Sequence, residues 1–70
     1  MWYFKTDKKA ELLKGRKIYY LAENELYISK EYLGAILRGN MGCSIRLVYN
    51  ILKLISNEAR LEDYFYKKGK

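Results

Sequence analysis

The chain has 70 residues, half of them hydrophobic, and a formal net charge of +6 at pH 7. A chain of this length is expected to form one domain, residues 1–70, whose small core leaves no room for a large catalytic cleft. The absence of proline and the high hydrophobic content exclude a disordered tail, and the basic excess favours a polyanionic partner over an acidic substrate or a membrane.

The N-terminal segment is aromatic and leads into a first predicted helix. Residues 2–4, Trp-Tyr-Phe, are compatible with a short edge strand or extended arm, a lid over the core, or half of a dimer contact. Thr6 or Asp7 can cap a helix that runs to Lys14 and stops at Gly15. The residues expected on its inner face are Ala10 and Leu13.

A second helix is predicted from Lys17 to about Glu25, with Leu21 and Ala22 turned toward the core. Residues 26–28, Leu-Tyr-Ile, follow it as a turn. This helix and turn lead directly into a third helix.

The third predicted helix lies between Ser29 and Gly39. Ser29 is a good N-cap because its hydroxyl can accept a hydrogen bond from the first turn, and Gly39 can take the left-handed conformation that ends a helix. Its apolar stripe consists of Leu33, Ile36 and Leu37. The residues that point elsewhere are Lys30, Glu31, Gly34, Ala35 and Arg38. The helix therefore has one buried face and one face available to a partner.

The C-terminal part is predicted to hold two more helices after a loop at 40–43. The fourth starts at Ser44, ends near Ser56 and has the strongest helical periodicity in the chain. Its apolar residues are Ile45, Leu47, Val48, Ile51, Leu52, Leu54 and Ile55. The fifth covers residues 59–66 and packs through Leu61, Tyr64 and Phe65. A basic tail at 67–70, with Lys67, Lys68 and Lys70, is expected to fray. The fold class expected is all-α with five helices.

The third helix resembles the recognition helix of the Cro/C1-type (XRE-like) helix-turn-helix family of phage and bacterial transcription regulators. In that family a hydrophobic residue and a Ser or Thr open the helix, a branched apolar pair anchors it, and a tight turn closes it. Here these places are held by Ile28-Ser29, by Leu33 with Ile36, and by Arg38-Gly39. Weaker likenesses in the same order, over about fifty residues in all, are Leu21-Ala22-Glu23, residues 43–47 and residues 60–65.

The resemblance implies a small lambda-repressor-like domain with the helix-turn-helix motif over about 17–38. Two features depart from the family. The stretch from Leu21 to Ile28 is one residue longer than the usual helix and turn, and Leu26 or Tyr27 stands where a turn glycine is expected. The family also often has a Gln at the start of helix two, where this chain offers Lys17, Ile18 or Tyr19.

The mechanism implied by the resemblance is insertion of the third helix into the major groove of double-stranded DNA. Lys30 could donate to guanine, Glu31 could accept from cytosine, and Ala35 beside Gly34 could touch a thymine methyl group. Phosphate contacts, which position the protein without specifying sequence, are expected from Ser29, Tyr32, Arg38 and Asn40, with Arg16 and Lys17 adding charge before helix two.

Each candidate also has a purely structural interpretation. Lys30 and Arg38 would lie on an ordinary solvated face, and Glu31 would stabilise the helix through its dipole while repelling phosphates. Ser29 is explained by capping alone. Tyr32 could pack against helix two, and Asn40 could be a turn residue.

Catalysis, metal binding and cofactors are not expected. The chain has no His and a single Cys, Cys43, which supports neither a zinc site, a Cys-His nucleophile nor an internal disulfide. Its carboxylates are not paired for acid-base work, and Gly39 to Gly42 does not match a phosphate-binding loop. Without a membrane-spanning run, an amphipathic basic helix or a secretory signal, we expect a cytoplasmic protein of a bacterial or phage-infected cell.

Two classes of function remain. The first is a sequence-specific transcription regulator, a Cro-like repressor that binds its operator as a homodimer because one short helix contacts too few base pairs for useful specificity. The alternative is a phage-encoded interaction module that uses the same scaffold to bind and inhibit a protein, in the manner of anti-CRISPR proteins. The eight tyrosines and Glu31 favour the alternative, whereas the net charge and the ordered motif favour DNA.

Overall fold

The computed structural model describes residues 1–68. Within them the chain is mostly helical and contains five α-helices and a two-stranded sheet. The elements in chain order are β1 (Trp2–Phe4), a 3-10 turn (Thr6–Lys8), α1 (Lys9–Leu13), α2 (Ile18–Tyr20) continued by a π-helical segment (Leu21–Leu26), α3 (Lys30–Leu37), α4 (Ile45–Ile55), α5 (Leu61–Tyr64) and β2 (Phe65–Lys67). The five predicted helices are present. The predicted all-α fold class is corrected in one respect, since the chain also contains a small two-stranded sheet.

Helix α4 is the centre of the core. It begins where the sequence predicts, and its N-cap is Ser44, whose hydroxyl accepts a hydrogen bond from the Leu47 backbone N–H. Its buried residues are Val48, Ile51, Leu52 and Ile55, and α1, the π-helical segment and α5 all pack against it. Ile45, the first residue of the predicted apolar periodicity, is exposed, and burial begins one turn later at Val48.

The first helix is present, but its start and its buried residue differ from the prediction. Neither Thr6 nor Asp7 caps it: both lie within the 3-10 turn, and α1 begins at Lys9 with no side-chain cap. Leu12 is completely buried, Leu13 packs at the edge of the core, and Ala10, which was expected inside, is exposed. The segment opens as a 3-10 turn, whose tighter winding shifts the inward face relative to an all-α pattern. Lys14 and Gly15 both have positive φ and end the helix there.

The two ends of the described chain pair with each other. β1 and β2 are antiparallel, with Trp2 opposite Lys67, Tyr3 opposite Tyr66 and Phe4 opposite Phe65. Trp2 also exchanges two backbone hydrogen bonds with Cys43, of 3.0 and 2.7 Å, on the other side of β1. Of the three alternatives for residues 2–4 the strand is confirmed, and it lies between β2 and the 40–43 loop.

The predicted fifth helix was too long, because residues 65–67 form β2 instead of its last turn. The strand alternates: Phe65 is buried against Phe4, with ring centroids 5.3 Å apart, whereas Tyr66 points outward. Lys67 therefore belongs to the sheet and not to a frayed tail, while Lys70 lies outside the described residues.

Tyr64, the last residue of α5, ties this helix to α1. Its hydroxyl donates a hydrogen bond of 2.8 Å to Oε1 of Glu11. Because ionisation of the phenol would break that bond beside a carboxylate, the pKa of Tyr64 is raised above its ordinary value.

Candidate nucleic-acid interface

Helix α3 is capped at both ends as the sequence predicts. The Ser29 hydroxyl accepts a hydrogen bond of 3.1 Å from the Tyr32 backbone N–H. At the other end Gly39 has φ of +82°, and the N–H groups of Gly39 and Asn40 donate to the carbonyls of Ile36 and Ala35. These bonds satisfy helix-end groups that would otherwise lack partners, so α3 is a short but well-defined helix.

The predicted division of α3 into two faces holds for most positions. Leu33, Ile36 and Leu37 are buried in the core. On the opposite side Lys30, Glu31 and Arg38 are exposed and Ala35 is half-buried, within an arc of roughly 140° at about 100° per residue. The ion pairs found among residues 1–68 are Lys8–Glu11 and Arg60–Glu62, so neither cation of α3 is held by a carboxylate.

Gly34 lies within this arc but is not accessible, which corrects its assignment as an open contact position. It is buried, and a methyl group added at Gly34 would lie 3.2 Å from Nη1 of Arg38. The guanidinium of Arg38 therefore folds back along its own helix and covers the glycine. A partner reaches Gly34 only after the Arg38 side chain moves away.

Tyr32 and Asn40 have structural contacts of their own. Tyr32 is half-buried, and its hydroxyl donates a long hydrogen bond of 3.4 Å to the carbonyl of Gly42. That contact ties α3 to the 40–43 loop, a structural role different from the packing against helix two that was the alternative to its predicted phosphate contact. Asn40 is exposed and closes the helix through its backbone, so its side chain is available.

The helix before α3 changes its winding along its length. Residues 21–26 form a π-helical segment, which has more residues per turn than an α-helix and takes up one additional residue. It runs through Leu26, so the turn is shorter than predicted. Tyr27 then adopts the left-handed conformation at φ of +58°, and the Ile28 N–H donates to the Ala22 carbonyl at 2.9 Å. Tyr27 therefore occupies the place of the expected glycine.

Of the two basic residues before helix two, only Lys17 is free to contact a partner. Lys17 is exposed at the N-cap position of α2. Arg16 is half-buried, and its guanidinium donates to the carbonyls of Leu12, Leu13 and Leu54. The phosphate-contact assignment of Arg16 is corrected to a structural one, because its donors already serve the ends of two helices.

The charge of this region is mixed. Lys17, Lys30 and Arg38 are accompanied by three exposed carboxylates, which belong to Glu23, Glu25 and Glu31. The largest exposed aromatic side chains nearby are those of Tyr19, Tyr20 and Tyr27, with 53, 44 and 82% of their surface exposed. Sequence reasoning noted the tyrosine content but did not place these three along one helix and its turn.

Two further features lie away from α3. An open groove runs between α4 and the segment before and within α5, lined by Tyr49, Leu52, Lys53, Asn57, Ala59, Arg60, Leu61 and Glu62, none of which was a predicted site residue. Cys43 is completely buried, and burial raises the pKa of its thiol to about 11, so it is an inert core residue.

Within residues 1–68 no three His, Cys, Asp or Glu side chains come close enough together to hold a metal ion. In the same stretch, no helix has both the length and the apolar content needed to cross a membrane. The chain matches no protein-family model, and comparisons with curated proteins and with solved structures found no match either.

Proposed function

We propose that this protein binds double-stranded DNA in a sequence-specific manner and acts as a small transcription regulator of a bacterial or phage-infected cell. The observation that carries the proposal is the geometry of α3: a capped helix after a tight turn, anchored by Leu33 and Ile36, with Lys30 and Arg38 exposed on its outer side and unpaired with any described carboxylate. A helix presented in this way can enter the major groove.

The individual contacts follow from exposure. In this proposal Lys30, which is exposed in the first turn, donates to guanine O6 and N7, and Ala35 contacts a thymine methyl group. Arg38 contacts a phosphate or, once it moves away from Gly34, a base edge. Glu31 favours a cytosine, whose N4 amino group can donate to the carboxylate. At sites without that cytosine Glu31 weakens binding, because its carboxylate is repelled by the phosphates.

Specific recognition requires a second copy of the chain. A helix of eight residues contacts too few base pairs alone, so we propose a homodimer that binds two related half-sites about one helical turn apart. The flanking phosphates are then contacted by Lys17 at the start of helix two, by Ser29 before α3 and by Asn40 after it. The proposed function involves no enzymatic step, cofactor or metal.

The test is selection of binding sites from a random double-stranded DNA pool near physiological salt, followed by affinity measurements on the recovered site. The Lys30→Ala/Arg38→Ala double variant is expected to lose at least about tenfold in affinity while its circular dichroism spectrum is unchanged. The matched control is Lys9→Ala/Lys53→Ala, which removes two exposed lysines from α1 and α4. Equal losses in both double variants would contradict groove insertion and indicate non-specific attraction.

A protein-binding function is the second candidate, and it is favoured by the three exposed tyrosines of helix two and its turn. Tyr19, Tyr20 and Tyr27 lie near Glu23 and Glu25, a combination unsuited to phosphates but typical of aromatic anchors in protein interfaces. Under this alternative the random pool yields no site, and Tyr27→Ala weakens capture of a specific bacterial protein while the Lys30 and Arg38 substitutions do not.

A further inference from the structure

The outer face of the small sheet carries two tyrosines side by side. Tyr3 of β1 lies directly opposite Tyr66 of β2, and their ring centroids are 6.0 Å apart with 29° between the ring planes. Tyr66 is 44% exposed, and Tyr3 is half-buried. Because residues alternate along a strand, this pair faces away from Phe4 and Phe65, which fill the core. The core therefore does not require these two rings.

Lysine ammonium groups lie over the aromatic rings of the same sheet. On the outer face Lys68 Nζ is 5.0 Å from the centroid of Tyr3. Lys67 Nζ is 5.9 Å from the centroid of Trp2, but by strand alternation that pair belongs to the face of Phe4 and Phe65. Residues 2–4 and 65–67 include no carboxylate. The surface formed by Tyr3, Tyr66 and Lys68, here called the tyrosine platform, thus combines π faces with positive charge and no acidic neighbour on either strand.

Gly42 keeps the platform close to the loop at 40–43. A methyl group on Gly42 would lie 2.8 Å from Met1 Cβ and 3.2 Å from the ring of Tyr3, so only glycine lets that ring lie against the loop. Tyr32 donates to the Gly42 carbonyl from the other direction. The platform is therefore held by β1, β2 and the loop together, and its shape does not depend on one strand alone.

We propose that the tyrosine platform binds unpaired bases of single-stranded nucleic acid. Base-aromatic stacking tolerates every sequence because each base has a π face, and such sites combine aromatic side chains with a positively charged path for the backbone. A base that stacks on Tyr3 displaces the Lys68 ammonium, which moves to the adjoining phosphate, and Tyr66 takes the neighbouring base. Charge complementarity favours this occupant over an apolar or basic protein surface, and the tyrosine π faces, which stack with bases but repel a carboxylate, favour it over an acidic one.

None of the three platform residues, Tyr3, Tyr66 and Lys68, is assigned to duplex binding, so the proposal does not rest on duplex binding. The two proposals can be tested independently of each other. Under the proposal above, Lys30→Ala/Arg38→Ala removes duplex binding, but it leaves the platform unchanged. Single-stranded binding retained in that double variant is the result expected here. Its loss together with duplex binding would overturn a separate platform.

The experiment measures fluorescence anisotropy of labelled ten-nucleotide thymidine and uridine oligomers, and of an abasic oligomer with the same phosphate charge. Wild-type protein is expected to bind the base-containing oligomers more tightly than the abasic one, and the comparison of thymidine with uridine identifies DNA or RNA as the source. Tyr66→Ala is expected to bind the oligomers at least about fivefold more weakly. Lys68→Ala is expected to reduce the slope of log affinity against log salt by about 0.7, the loss of one phosphate contact.

Three variants separate stacking from other effects. Tyr66→Phe keeps the ring and should retain wild-type affinity, whereas Tyr66→Leu keeps the apolar contact without a π face and should lose affinity, even if Tyr66→Ala does not fold. The matched control Tyr49→Ala removes another exposed tyrosine, on α4, and should leave binding unchanged. Equal binding of abasic and base-containing oligomers, or equal affinity of Tyr66→Leu and wild type, would overturn the proposal. Self-association that Tyr66→Leu abolishes, without any oligomer binding, would assign the face to a second copy of the chain.

Discussion

Arg16 Nη2 donates a hydrogen bond of 3.3 Å to the main-chain oxygen of Leu54, which joins the turn after α1 to the last turn of α4. The same guanidinium donates to the carbonyls of Leu12 and Leu13, at 3.0 and 3.1 Å. Lys14 Nζ donates to the neighbouring Ile55 carbonyl. The last carbonyls of a helix lack hydrogen-bond partners within the helix. Arg16 and Lys14 supply these partners at the C-terminal ends of α1 and α4, and their positive charges interact favourably with the dipoles of both helices.

Arg16→Ala is therefore expected to lower the free energy of unfolding by about 2 kcal/mol, because it removes charge-assisted hydrogen bonds from half-buried carbonyls. The measurement is a urea denaturation curve at neutral pH. Lys17→Ala is the matched control: Lys17 is adjacent and exposed, and its loss should shift stability by no more than about 0.5 kcal/mol. If Arg16→Ala and Lys17→Ala unfolded at the same urea concentration, the structural role of Arg16 would be contradicted.

Gly34→Ala and Gly39→Ala are expected to act in opposite directions. At Gly34 the methyl group meets only the mobile end of Arg38, at 3.2 Å, so the helix gains about 0.5–1 kcal/mol in propensity. At Gly39 φ is +82° and the methyl group meets Thr6 at 3.3 Å, so alanine should cost about 1 kcal/mol or more. Thermal melting of both variants checks the signs, and a lower melting temperature for Gly34→Ala would contradict this account of the site.

The parts of the fold that the sequence predicts well are those set by short-range physics. Ser29 caps α3 through a residue only three positions away, and the apolar stripe of α4 follows from helical periodicity. The sheet could not be predicted in the same way. It pairs residues 2–4 with 65–67, each strand is only three residues long, and no turn between them indicates the register.

In the candidate site, too, features set by neighbouring residues could be predicted from the sequence, whereas features set by side-chain conformation or by distant residues could not. The exposure of Lys30 and Arg38 follows from their positions on α3, but the burial of Gly34 depends on how one long side chain folds back. The role of Arg16 depends on a carbonyl that lies 38 positions away in sequence. The tyrosine platform leaves a trace in the sequence, because aromatic residues that point inward and outward alternate in residues 2–4 and 65–67. This alternation predicts a shared surface only when the two segments are known to pair.

Tyr27→Gly is expected to stabilise the protein by about 1 kcal/mol. Tyr27 adopts φ of +58°, a conformation that costs a residue with a Cβ about 1–2 kcal/mol and costs glycine almost nothing, and its side chain is 82% exposed and so contributes little packing. Urea denaturation checks this, with Tyr19→Gly on α2 as a control that should be destabilising because its backbone is helical. A loss of stability in Tyr27→Gly would mean that the tyrosine ring makes contacts that outweigh the backbone strain.

Stability is expected to fall at alkaline pH through Cys43. Its thiol has a folded pKa of about 11 against an ordinary value of 9.0, because the buried thiolate would lose its hydration. The unfolded chain therefore releases this proton first: the contribution is fully present below pH 9 and is lost by about pH 11, a change of roughly 2–3 kcal/mol. Cys43→Ala should remove that slope while leaving the contribution of Tyr64, whose pKa is also raised, so the difference between the two urea-denaturation profiles isolates the thiol. Parallel profiles from pH 8 to 11 would show that Cys43 reaches solvent before the chain unfolds.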